Sequence, residues 1–187
     1  MKRVYNVFKS SKRVCGALFV LLLLSSTVAA QGVGTSAPDF ALVDRAGEVV
    51  SLAEFQGKPL VLNAWATWCA PCVEELPLFQ SIANEVNGEE AALGFLLINS
   101  GEAPDAAAAF LEELEVTLPA VFDATREQAA TLEVDETLDV LRDYRVRGMP
   151  TTFFIDAEGV IQGVKVGLLL PNEASTFLEN IGVSWQP

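Results

Sequence analysis

The sequence predicts an α/β domain, one mixed central sheet flanked by helices. Three observations carry that prediction. Two apolar runs, "LVLNAW" (residues 60–65) and "LGFLLINS" (residues 93–100), have the composition of strands buried on both faces. Each is followed by a stretch whose apolar residues recur at helical spacing. The last third of the chain then reads as two short strands and a closing helix. The order is therefore βαβα followed by ββα.

Each element has local grounds. "DFALVD" and "EVVSL", split by Arg45-Ala46-Gly47, read as an N-terminal hairpin. After residue 65, Val73, Leu76, Phe79, Ala83 and Val86 fall on one helical face, and the helix should end near Asn87-Gly88. Pro77 lies inside it, removes one backbone donor and predicts a kink. "PDAAAAFLEELE" (residues 104–115) is a helix with Pro near its start, and "PAVFD" is a short strand or extended link. Residues 123–144 hold many acids and two helical pieces, and read as an inserted helical segment. "TTFFID" (151–156) and "VIQGVKVG" (160–167) pair around the Glu158-Gly159 turn. "PNEASTFLENIG" closes the domain, with Pro171 at its head and Gly182 just past its end.

The chain has 187 residues, 51% of them hydrophobic, which supports one domain with a single core. Lys2, Arg3, Lys9, Lys12 and Arg13 precede an uncharged, Leu-rich run and then "SSTVAAQ". Residues 1–30 read as a secretory signal cleaved after Ala30, or as a retained N-terminal membrane anchor. Residues 31–187 form the folded domain, expected outside the cytoplasm in either case. Seven Lys and Arg remain in it against all twenty-five Asp and Glu. That balance excludes nucleic-acid binding, which needs clustered bases.

There is no histidine, which excludes His-based metal sites and both Ser-His-Asp and Cys-His nucleophiles. Cys15 belongs to the targeting segment, so the exported domain keeps two cysteines, Cys69 and Cys72. They cannot make a four-cysteine zinc site. No Gly-rich dinucleotide loop sits at a strand–helix turn, so no cofactor is expected.

Cys69 and Cys72 stand where a buried strand runs into a helix, between Trp68 and a helix body, with Pro71 between them. A thiol attacks a disulfide only as the thiolate, and the unpaired amides and dipole at a helix N-terminus favour negative sulfur. Cys69, at the junction, is the expected attacking sulfur. Cys72, one turn inside, is the expected resolving sulfur. As a mere staple the pair would close too small a loop to stabilise much. Far along the chain, Met149-Pro150 precedes a strand. A cis Pro150 beside the cysteines would leave the Met149 backbone free to pair with a substrate segment.

"WATWCAPCVEELP" and "VRGMPTTFFID" together resemble the thioredoxin-like oxidoreductases of the TlpA/ResA type, within the AhpC/TSA- and redoxin-like proteins, over roughly residues 37–182. The resemblance implies a thioredoxin-like fold with an extra N-terminal hairpin and an insertion before the cis-Pro loop. It implies a redox-active Cys69–Cys72 disulfide and a protein-disulfide reductase of the cytochrome c maturation group. Its partners would be exported disulfide-containing proteins, apocytochrome c among them, and a membrane dithiol that donates electrons. Asn63 occupies the position where ordinary thioredoxins carry a buried acid. Glu75 matches the family's proton-handling acid; read alone, it could equally be an exposed helix-face acid like Glu74. A disulfide-donating oxidant on the same fold is the alternative. A thiol peroxidase would want Thr three residues before the attacking cysteine, where Ala66 stands. A metal carrier would add His or Met ligands, and the only methionines are Met1 and Met149.

Overall fold

The computed structural model describes residues 32–87, 92–123 and 140–187. The signal or anchor expected over residues 1–30 lies outside the described residues, as do residues 124–139 of the expected insertion.

Seven strands form one sheet in the order β2-β1-β5-β4-β3-β6-β7. β1 (Ala41–Asp44) and β2 (Val49–Ser51) are the expected antiparallel hairpin. The Asp44 carboxylate accepts the amides of Ala46 and Glu48, and Gly47 takes the left-handed backbone that the turn requires. A 3-10 turn, Leu52–Phe55, leads to β3 (Leu60–Trp65). Then follow α1 (Ala70–Asn87), β4 (Gly94–Ser100), α2 (Pro104–Glu113) and β5 (Ala120–Asp123). "PAVFD" is thus a strand, parallel to β4 and antiparallel to β1. α1 continues as one helix through Pro77, whose ring lies on the exposed side. α2 stops short of residue 115 because Glu115 has turned into left-handed backbone.

Of the insertion, Val140–Asp143 is described, as the short helix α3. β6 (Thr151–Ile155) and β7 (Ile161–Val166) pair antiparallel, and α4 (Pro171–Asn180) closes the domain. Gly182, with φ 81°, ends α4 as its position suggested.

The alternation of strand side chains builds two cores, one on each face of the sheet. Val61, Trp65, Phe95, Leu97 and Phe154 face α1, α2 and α4. Leu60, Leu62, Leu96, Ile98, Phe153 and Ile155 face α3, the 3-10 turn and the stretch from Ala37 to Phe40. β3-α1-β4 and β4-α2-β5 step across the sheet in the same direction, so right-handed crossovers put both helices on one face. The three long helices therefore share a face, and short elements cover the other.

α4 is keyed to the sheet by a close approach. Phe177 stacks on Phe154 with centroids 4.6 Å apart. A methyl placed at Gly163 on β7 would lie 2.5 Å from Cδ1 of Phe177. Gly163→Ala should therefore cost about 1–3 kcal/mol by overpacking. Combined with Phe177→Ala, which removes the colliding ring, its cost in denaturant melts should shrink. Full additivity of the two changes would contradict this contact.

Candidate active site

β3 and β6 are antiparallel neighbours, with Ala64 opposite Thr151. The end of β3 and the start of β6 therefore lie at the same edge of the sheet. Whatever follows β3 meets whatever precedes β6, although some eighty residues separate them. Cys69 follows β3, and Met149-Pro150 precedes β6. The Met149-Pro150 peptide is cis. Met149 packs against the core cluster that contains both cysteines. The carbonyl of Pro150 accepts from Gly167, whereas Met149 has no backbone partner among the described residues outside the regular strand ladders.

Cys69 and Cys72 form a disulfide, with sulfurs 2.03 Å apart. Cys69 is 6% exposed and Cys72 is fully buried, so access to the pair is through Cys69. The amide of Cys72, one of the N–H groups of the α1 start without an intrahelical acceptor, donates to the Cys69 sulfur at 3.3 Å. Trp68, 69% exposed, stands beside it, and Pro71 is exposed in the first turn of α1.

Glu75 is not a surface acid. It is 1% exposed, on the same buried face of α1 as Cys72 and one turn along, whereas Glu74 faces solvent. Asn63 Nδ2 donates to Glu75 Oε1 at 2.8 Å, and the Leu169 amide donates to Oε2 at 2.9 Å. Asn63 Nδ2 also donates to Thr152 Oγ1 at 3.0 Å. Burial pushes the Glu75 carboxyl up from 4.5 to about 7. The two donors and the more distant Lys165 ammonium pull the other way and do not offset it. The structure thus gathers Asn63, Trp68, Cys69, Pro71, Cys72, Glu75, Met149 and Pro150 at one end of the sheet.

Sequence reasoning missed a second carboxylate there. Glu102, just after β4, accepts from both the amide and the hydroxyl of Thr67 and from Asn99 Nδ2, with Oε2 2.8 Å from the amide and 2.7 Å from Asn99. These bonds hold its carboxyl below the ordinary range, against the effect of burial, and brace the loop two residues before Cys69. They join positions 35 residues apart, so no local pattern could have announced them. Among the described residues, no group of three or more His, Cys, Asp or Glu is placed to hold a metal ion.

This fold and this disulfide define a thioredoxin-like thiol–disulfide oxidoreductase. The AhpC/TSA family pattern matches residues 33–164, more than half of the chain, and the chain belongs to that family. It is 32% identical over 146 residues to the thioredoxin-like protein YneN of Bacillus subtilis, covering 78% of each chain. It is 33% identical over 149 residues to the thiol-disulfide oxidoreductase ResA of the same organism, covering 79% of this chain and 75% of that one. A thioredoxin-family thiol:disulfide interchange protein from Chlorobium tepidum superposes with a TM-score of 0.62 at 26% identity, over 79% of this chain and 95% of that one.

The raised Glu75 carboxyl has a measurable consequence. Its folded value lies above its unfolded value, so the folded protein holds this proton to higher pH. The associated stability is fully present below about 4.5 and is lost as pH rises through about 7. Between those values the oxidised protein should lose on the order of 3 kcal/mol relative to Glu75→Gln, which carries no such proton. Denaturant melts of both proteins across that window check this. Parallel profiles would return the carboxyl to ordinary behaviour.

Proposed function

We propose that the chain is an extracytoplasmic protein-disulfide reductase in which Cys69 attacks, Cys72 resolves and Glu75 handles the resolving proton. The observation that carries this reading is the buried Glu75 carboxyl on the same helix face as Cys72, titrating near neutrality. A proton acceptor works best when its own pKa lies near the working pH.

The steps begin from the dithiol. The Cys69 thiolate, favoured by the start of α1, attacks one sulfur of a substrate disulfide. The substrate S–S bond breaks, its other sulfur leaves as a thiolate, and a mixed disulfide joins Cys69 to the substrate. Cys72 then gives its proton to the Glu75 carboxylate and attacks the Cys69 sulfur. The mixed disulfide breaks, the second substrate sulfur leaves, and the Cys69–Cys72 bond forms. Two electrons have passed to the substrate. The Met149 backbone, which has no backbone partner among the described residues and stands beside cis Pro150, offers a pairing edge that would hold the substrate cysteine over Cys69. A Glu75 charge beside the thiols raises their pKa values and makes them poorer leaving groups. That disfavours reduction of the Cys69–Cys72 disulfide and so biases the dithiol toward acting as a reductant.

The location follows from residues 1–30, whose basic start keeps the N-terminus inside. Exported thiols meet oxidants, so the cycle needs a dithiol on a membrane protein to return electrons. Among the described residues, no helix is long and apolar enough to cross a membrane. Disulfides of exported proteins, including apocytochrome c, are the substrates the family resemblance suggests.

Two tests follow. Cys72→Ser should accumulate a mixed disulfide through Cys69 with the physiological partner, and Cys69→Ser should accumulate little; adducts mainly on Cys72 would reverse the roles. In intact cells, alkylation trapping should find the pair mostly reduced, and oxidised once the membrane donor is deleted. A pair oxidised in both strains would make the protein a disulfide donor instead.

A further inference from the structure

A groove of about 270 Å³ lies beside the cis-Pro loop on the sheet face opposite α1. Phe153, Val164 and Val166 form its apolar floor, and Arg145 and Arg147 line it from the segment that leads into Met149. Two features set it apart. The first is charge. In a domain with seven bases against twenty-five acids, two arginines converge here. Among the described residues neither has an ion-pair partner, whereas Arg45, Arg142 and Lys165 are each paired with an acid. Lys58 lies before β3, at the far end of the sheet from the disulfide.

The second feature is an open strand edge. β7 ends the sheet. Only its beginning is covered, where Gly34 and Thr35 bond to Ile161. Its later half, at Val164 and Val166, has no strand beyond it among the described residues, and Val166 is 66% exposed. The groove flanks the cis-Pro loop, since Gly148 and Thr151, on either side of Met149-Pro150, both line it.

We propose that this groove binds an extended, carboxylate-bearing segment of the disulfide protein on which Cys69 acts. The apolar floor takes alternate side chains of the segment, and Arg145 and Arg147 take Asp or Glu side chains. Chain geometry sets the register. Arg147 and Arg145 precede Met149 by two and four residues, so on a segment that pairs with the Met149 backbone the acids belong two to four residues from the attacked cysteine, an extended reach of at most about 7 to 14 Å. The acidic remainder of the domain repels such a segment, but beyond a Debye length of about 8 Å that repulsion is screened at physiological salt, while arginines in contact still act. This rests on the reductase reading and adds to it a class of substrate sequence.

The test uses the reduced protein and disulfide-bonded peptides that carry Glu, Ser or Lys at two and four residues from the attacked cysteine. The Glu peptide should be reduced with kcat/KM about fivefold above the Lys peptide at low salt, narrowing as salt rises. Arg145→Ala with Arg147→Ala should abolish that ratio, and the double change to Glu should invert it. Each ratio is taken within one protein, so differences in overall activity cancel. Equal rates for all three peptides would overturn the groove and leave the reductase standing. A ratio that survives the double alanine change would also overturn it. Failure to reduce any peptide would bring down both readings.

Discussion

A carboxyl group buried in apolar surroundings must find hydrogen bonds or lose several kcal/mol. Glu75 meets that requirement by drawing three parts of the fold together under the disulfide. It sits on α1, takes one donor from Asn63 on β3 and another from Leu169 ahead of α4. Through Asn63 the same network reaches Thr152 on β6, the second residue after cis Pro150. The helix that carries Cys72, the strand that leads to Cys69 and the strand after the cis-Pro loop are thus tied at one point. The loop above is braced separately, by Glu102 on Thr67. The network has a remainder: Asn63 Oδ1 and the Trp65 indole N–H are buried with no partner among the described residues. Both lie on β3 next to the reaction centre.

The topology explains why the centre forms where it does. β3 and β6 run antiparallel, so the C-terminal end of one faces the N-terminal end of the other. The cysteine pair follows β3 at the start of α1, and the segment that precedes the antiparallel neighbour β6 is thereby brought to the same edge. β7 brings Lys165 and the open edge to the same region, because it returns antiparallel to β6. Lys165 bonds to Glu173 at 2.5 Å on the first turn of α4, and its charge also acts on Glu75.

Much of this was legible in the sequence, for physical reasons. Continuous apolar runs at residues 60–65 and 93–100 predict β3 and β4 because strands buried on both faces cannot alternate. Helical spacing after Cys72 predicts α1, and it also places Glu75 one turn from Cys72. What spacing could not reveal was depth. Glu74 and Glu75 are adjacent acids on an amphipathic helix, and one faces solvent while the other lies in the core. Their difference depends on which face meets β3 and on the amide of Leu169, 94 residues away. The distribution of helices followed the same divide. The sequence predicts helices on both faces, but that the three long ones share a face depends on the direction of strand crossing. "RVRGMP" displayed Arg145 and Arg147 openly, yet nothing local showed that both line a groove floored by β6 and β7.

The choice of Asn at position 63 completes the electrostatic arrangement. An acid there, as in ordinary thioredoxins, would stand at hydrogen-bond distance from Glu75, since Asn63 Nδ2 and Glu75 Oε1 are 2.8 Å apart. Two buried carboxyls so close cannot both ionise, and one would be driven to hold its proton far above neutrality. An amide instead supplies N–H donors, which favour the ionised form of Glu75 and limit the rise that burial alone would cause. The net result of burial against donors is a carboxyl near 7, able to exist in either state at neutral pH. With the single acid on α1 rather than on β3, it lies on the helix of Cys72. On the proposed mechanism this puts the proton acceptor on the helix of Cys72, while the start of α1 favours the thiolate of Cys69.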